Sequence, residues 1–138
     1  MKMTLRIQSW ILFTFGTVFL FAGCATKQAY EGSPLPRESV AVIKPSTPGL
    51  VNLAVILQVD GIKRGFFEEI AEVLPGDHTV LVQVSTGFFP VTIHRTKTLS
   101  FNARAGHVYR VEGKVSGGKA IAWIEDETTN EVVAGERQ

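Results

Sequence analysis

Beyond Pro36 the apolar residues of this chain recur at every second position, with turn signals at short intervals, the pattern of half-buried strands in antiparallel sheets. Val40 and Val42 alternate with Ala41 and Ile43, and Pro45-Ser46-Thr47-Pro48-Gly49 then ends that strand. Residues 50–59 are apolar on both parities apart from Asn52 and Gln58, which predicts a central strand covered on both sides. Asp60-Gly61 predicts a hairpin turn, because Gly accepts positive φ. Glu68 to Leu74 contains good helix formers, but Ile70 to Val73 runs directly into Pro75-Gly76, a type II turn pair, and that favours strand. His78 to Val84 follows, with Val80, Val82 and Val84 on one face.

The longest alternation spans Val91 to Ala103. Thr92, His94, Thr96, Thr98, Ser100 and Asn102 share one face, while Val91, Ile93, Leu99, Phe101 and Ala103 share the other. Arg95 and Lys97 interrupt the apolar face, which implies either a bulge or a strand that overhangs the core and carries charge against edge pairing. His107 to Val115 is the next strand, with Tyr109, Val111 and Val115 inward, and Ser116-Gly117-Gly118 makes a hairpin loop. Along Lys119 to Glu125, Ile121 and Trp123 alternate with Ala120, Ala122 and Ile124, and Trp123 is expected in the core. Glu131 to Ala134 is a last short strand. These segments predict an all-β fold: a small antiparallel β-sandwich, immunoglobulin-like in layering, of seven to eight strands over residues 37–138.

The first 36 residues follow other rules. Lys2 and Arg6 precede an uncharged, largely apolar run from Trp10 to Phe21, and Ala22-Gly23-Cys24 comes next. About a dozen apolar residues are too few for a permanent span, which needs about 20, so residues 1–23 are expected to be a cleaved export signal. The segment Leu20-Phe21-Ala22-Gly23-Cys24 resembles the lipobox of bacterial lipoproteins. That resemblance implies a diacylglycerol on the Cys24 thiol and cleavage just before it. Ala25, where Asp would mark inner-membrane retention, implies the outer membrane, and of its two sides the periplasmic face is favoured over the cell surface. Each buried methylene contributes about 0.8 kcal/mol, so two or three acyl chains hold a small domain on a bilayer. Residues 24–36, with Gly32, Pro34 and Pro36, are expected to be a flexible tether reaching about 40 Å if extended.

Charge and composition remove several functions. The 138 residues hold 14 Lys+Arg against 13 Asp+Glu, too even a balance for nucleic-acid binding through counterion release. One Cys allows no internal disulfide. His78, His94 and His107 lack the spacing of metal ligands, so neither metal nor cofactor is expected. His78 is expected to cap the turn it follows. Glu68 and Glu69 point to opposite sides of a strand, and Glu125-Asp126-Glu127 reads as the acidic rim of a turn. With no Gly-x-Ser-x-Gly elbow and no phosphate loop, the chain is expected not to be an enzyme.

Binding is the alternative, and the sequence offers two surfaces for it. Phe66-Phe67 and Phe88-Phe89 each place one ring away from the core, which could form an apolar patch for a protein. His94 on its hydroxyl-rich face, Tyr109 and Trp123 are the candidates for glycan contact. Asp60, Gly61, Pro75 and Gly76 are expected to be architectural.

Val59-Asp60-Gly61, followed by Val73-Leu74-Pro75-Gly76-Asp77-His78-Thr79-Val80-Leu81-Val82, is similar to the repeated unit of PEGA-type domains. Tyr30-Glu31-Gly32, Leu35-Pro36-Arg37 and the stretch from Trp123 to Gly135 extend the resemblance to small lipoproteins of Gram-negative bacteria. It implies a lipid-anchored envelope protein that acts as a binding or structural module toward an envelope protein or glycan. The second reading is an accessory factor or inhibitor of an envelope enzyme.

Overall fold

The computed structural model describes residues 26–46, 52–65, 70–88 and 91–137. Cys24, Phe66, Phe67 and Phe89, all singled out above, lie outside them. Ten strands form among the described residues: β1 Thr26–Gln28, β2 Ala41–Pro45, β3 Asn52–Val59, β4 Ile62–Lys63, β5 Ile70–Val73, β6 Gly76–Phe88, β7 Val91–Ala103, β8 Val108–Ser116, β9 Lys119–Asp126 and β10 Glu131–Gly135. The sequence predicted seven to eight. The extra strands are short pieces, such as β1 and β4, that carry no alternation of their own.

Two sheets face each other. One has the order β1-β5-β2-β8-β9-β10 and the other β4-β3-β6-β7. The four-stranded sheet is antiparallel throughout, as expected, but the six-stranded sheet is mixed, because β1 runs parallel to β5 and β2 parallel to β8. Parallel neighbours need a long crossover, and here the whole four-stranded sheet lies between β2 and β8 in sequence.

The core fills the space between the sheets. Val80, Val82 and Val84 of β6 are fully buried against Ile43, Val73, Val111 and Ile124 of the other sheet, and each such side chain contributes about 1.5–3 kcal/mol relative to exposure. Phe101 of β7 meets Tyr109 of β8 at a ring-centroid distance of 4.8 Å and a tilt of 60°, which ties the layers together. Gly113 permits a close approach of the sheets, since a Cβ there would lie 2.6 Å from Val84 Cγ2.

Three expectations are corrected here. The strand covered on both sides is β2, where Val40, Ala41, Val42 and Ile43 are all buried between β5 and β8; β3 is buried on one side only. A register shift between Ile56 and Gln58 reverses the parity of β3, so that Ala54, Ile56 and Val59 all reach the core. Trp123 is not a core residue. The small Ala122 and Ile124 fill the narrow gap between the sheets, and Trp123 takes the opposite parity, half-buried on the outer face. The start of the expected tether is built into the sheet. Thr26–Gln28 pairs with β5, Arg64 donates to the carbonyls of Lys27 and Ile70, and Gln28 Nε2 donates to the carbonyls of Tyr30 and Gly32.

β6 and β7 remain in register over all thirteen of their pairs, which excludes the bulge and leaves the overhang. Residues 92–98 are exposed on both faces, while Leu99, Phe101 and Ala103 enter the core.

Candidate functional site

Two turns expected to be architectural sit together at one end of the sandwich. Asp60 and Gly61 have φ of 51° and 78°, as a tight hairpin with two left-handed residues requires. The Asp60 carboxylate accepts the Thr79 amide at 2.8 Å and faces His78 Nδ1 at 2.6 Å, while His78 Nε2 lies 2.6 Å from the Leu74 carbonyl. His78 thus fastens the β3–β4 turn to the segment around Pro75, as its position after a turn implied. Gly76, with φ of 133°, is the first residue of β6, so Pro75-Gly76 carries the chain from one sheet to the other and does not close a hairpin. A depression over Asp77 to Thr79 and Ser100 to Asn102 lies beside it, but its polar side chains already pair, Asn102 with Asp77 at 2.8 Å and Thr79 with Ser100 at 3.5 Å.

The same end holds a second network, built on two buried residues. Tyr109, 1% exposed, was a candidate glycan contact and is instead a core residue whose hydroxyl accepts the Arg104 amide at 2.9 Å. Burial pushes its phenol pKa up, and the bond from Arg104 only partly opposes this. Asp126, 2% exposed, faces His107 Nδ1 at 2.7 Å and accepts the Thr128 amide at 2.9 Å. Burial raises its carboxyl, but the bonds from His107 and Thr128 outweigh that and leave its pKa below the ordinary value.

The outer face of the six-stranded sheet carries an ion network in place of the acidic rim expected at Glu125-Asp126-Glu127. The Arg110 guanidinium meets Glu112 at 2.8 Å, Glu127 at 2.9 Å and Glu125 at 3.4 Å. Lys44 pairs with Glu127 at 2.8 Å, and Arg137 pairs with Glu125 while lying 5.7 Å over the Trp123 ring. The Trp123 face is therefore already occupied by a cation from its own chain.

The glycan candidates do not converge. His94 lies on the outer face of the four-stranded sheet, where its Nδ1 is 2.7 Å from Ser85 Oγ and 3.3 Å from Gln83 Nε2. Trp123 belongs to the other sheet and Tyr109 is buried. Phe88 ends β6, and the other three Phe of the expected apolar patch are outside the described residues. Among the described residues no cluster of three His, Cys, Asp or Glu could hold a metal ion. No helix among them is long and apolar enough to cross a membrane.

What the residues do bring together is a cleft of about 680 Å³ between β7 and the β8–β9 hairpin, lined by Lys97, Ser116, Lys119, Ile121, Ala122 and Glu136 among others. Both of its walls are strand edges. β7 ends the four-stranded sheet, and among the described residues no strand pairs with its far side. On the opposite wall β10 pairs with β9 only as far as Gly135 opposite Trp123, which leaves residues 119–122 of β9 open on that side. Arg95 spans one end, its Nε donating to the Gly118 carbonyl at 2.9 Å. Lys97 and Lys119 have no ion-pair partner among the described residues, and Glu136 is the one acidic residue in the lining. The cleft is therefore cationic, half apolar, and bordered by backbone able to hydrogen-bond.

Sequence reasoning saw Arg95 and Lys97 only as a deterrent to edge pairing. Lys119 carried no signal, because its approach to Lys97 is made by the packing of one sheet on the other. Comparison with protein-family models, with curated proteins and with solved structures finds no match to this chain.

Proposed function

We propose that this protein is a lipid-anchored, non-catalytic binding module of the bacterial envelope, held on the periplasmic face of the outer membrane by acyl chains on Cys24, and that it binds through the cleft between β7 and β9. The observation that carries this reading is the contrast in polar pairing. The described histidines, and Asp60 and Asp126 at their end of the sandwich, have partners within the chain, whereas Lys97 and Lys119 face an open cleft without one among the described residues. A binding protein keeps such groups for its partner.

The lipobox-like segment and the PEGA-like turn blocks support the anchored-module part of the reading. In this reading only Ala25 separates the anchor from β1, so the sandwich rests against the headgroups and is not held about 40 Å away. Two measurements test it. Mass spectrometry of the mature protein is expected to find an acylated Cys24 at the N-terminus, and an unmodified thiol there would refute the anchor. A photo-crosslinking amino acid at Thr96 is expected to capture one defined envelope component in intact cells, while the same group at Thr128 captures none. Equal capture from both positions would refute the cleft as the binding site.

A further inference from the structure

We infer that the cleft takes an extended, acidic peptide segment as an added β-strand along the open edge of β7. This rests on the reading of the protein as a binding module and names the chemistry of its partner. Three observations point the same way.

The first is the edge itself. Residues 92–98 are exposed on both faces while their backbone stays in regular register with β6, so the strand is preformed and, among the described residues, unpaired on one side. Seven such residues offer a ladder about 23 Å long at the usual rise of about 3.3 Å per residue, enough for a peptide of six to eight residues. The second is charge. Alternate side chains of an added strand would enter the cleft beside Lys97 and Lys119, where two unpartnered ammonium groups favour carboxylates. Arg95 adds a third cation at the end of the cleft.

The third is what the lining lacks. Among the described residues the lining has no aromatic ring on which a sugar could stack, since Trp123 faces the opposite side under Arg137, and this favours a peptide over a glycan. A second copy of the chain is disfavoured for a separate reason. Pairing β7 with another β7 would bring Arg95 and Lys97 close to their own counterparts, and like charges facing each other across strands repel.

The test uses the full chain in detergent and a fluorescein-labelled eight-residue peptide of alternating Thr and Glu, read by fluorescence anisotropy. Saturable binding is expected, weakened at least tenfold by added salt or by the double substitution Lys97→Glu, Lys119→Glu. A Thr/Lys peptide should instead prefer that double variant. Two further peptides, N-methylated at the odd or at the even residues, separate strand addition from simple charge attraction. At least one of them is expected to lose binding tenfold, because only one set of amides can face β7. Circular dichroism must show the double variant folded; if it is not, the single substitution Lys119→Glu, at the exposed hairpin, replaces it.

Equal binding of all three Thr/Glu peptides, or binding insensitive to both lysines, would overturn the inference. Binding of polygalacturonate but not of the peptide would also overturn it, while leaving the binding-module reading intact. Failure of peptide and glycan alike, with no capture from Thr96 in cells, would overturn both.

Discussion

The two ends of the sandwich use the same kinds of residue to opposite effect. At the end built around His78, Tyr109 and Asp126, polar groups point at one another, Asp60 at His78, the Tyr109 hydroxyl at the Arg104 amide, and Asp126 at His107 and the Thr128 amide, with Tyr109 and Asp126 buried. Along the edge where β7 leaves the core, Lys97 and Lys119 border open backbone and have no such partners among the described residues. Paired, buried groups fix one conformation and are costly to disturb; unpaired exposed ones contribute little to stability and remain available. The fold is thereby divided into a half that holds the structure and a half that can recognise something.

Substitutions at the first end should therefore be expensive and those at the second cheap. The largest effect is expected from Tyr109→Ala, which empties a fully buried aromatic site and should cost about 3–5 kcal/mol in chemical denaturation. Trp123→Ala, on the half-buried outer face, should cost less than half as much. Equal losses would mean that the Trp123 side of the sheet is as much a core as the space between the sheets.

Asp126 sharpens the comparison through pH. Its native pKa lies below the ordinary value of 3.8, so the unfolded chain takes up the proton first as pH falls. Its contribution is complete above pH 3.8 and is lost as pH drops through the lower native value. Asp126→Asn, which removes the carboxylate that faces His107, should cost about 1–3 kcal/mol at neutral pH and flatten the acid limb of the urea-midpoint profile. An unchanged acid limb would show that the pairing contributes nothing.

A smaller loss is expected at the β3–β4 turn. Gly61→Ala meets no neighbouring atom, so its cost is the left-handed backbone alone, about 1 kcal/mol, with peptide binding per folded molecule unchanged. The smallest effect on stability belongs to Lys97→Glu with Lys119→Glu, expected to shift it by less than about 0.5 kcal/mol. A larger loss there would place the cleft among the structural elements and erase the contrast.

What could be read from the sequence was local. The Asp60-Gly61 turn, the capping role of His78, the thirteen-residue β7 and its overhang each depend on residues close together in the chain. The parallel pairings of β1 with β5 and β2 with β8 depend on sheet packing and left no periodic trace. Alternation along β9 separated two sets of side chains but did not say which faced inward, since both were apolar. Size favoured Trp123, whereas the tight contact of Gly113 with Val84 selects the small Ala122. The cleft joins Lys97 to Lys119 across two sheets, and only its β7 half was marked in the sequence, by two cations in an otherwise apolar face.

The division between a structural and a recognising half is tested most directly by amide chemical-shift mapping of the labelled protein titrated with the Thr/Glu peptide. The account predicts shifts that saturate together at residues 92–98 of β7 and 119–122 of β9, with Asp60, His78 and Asp126 unmoved. Shifts centred on the His78 and Asp126 end, or spread evenly over both sheets, would contradict it.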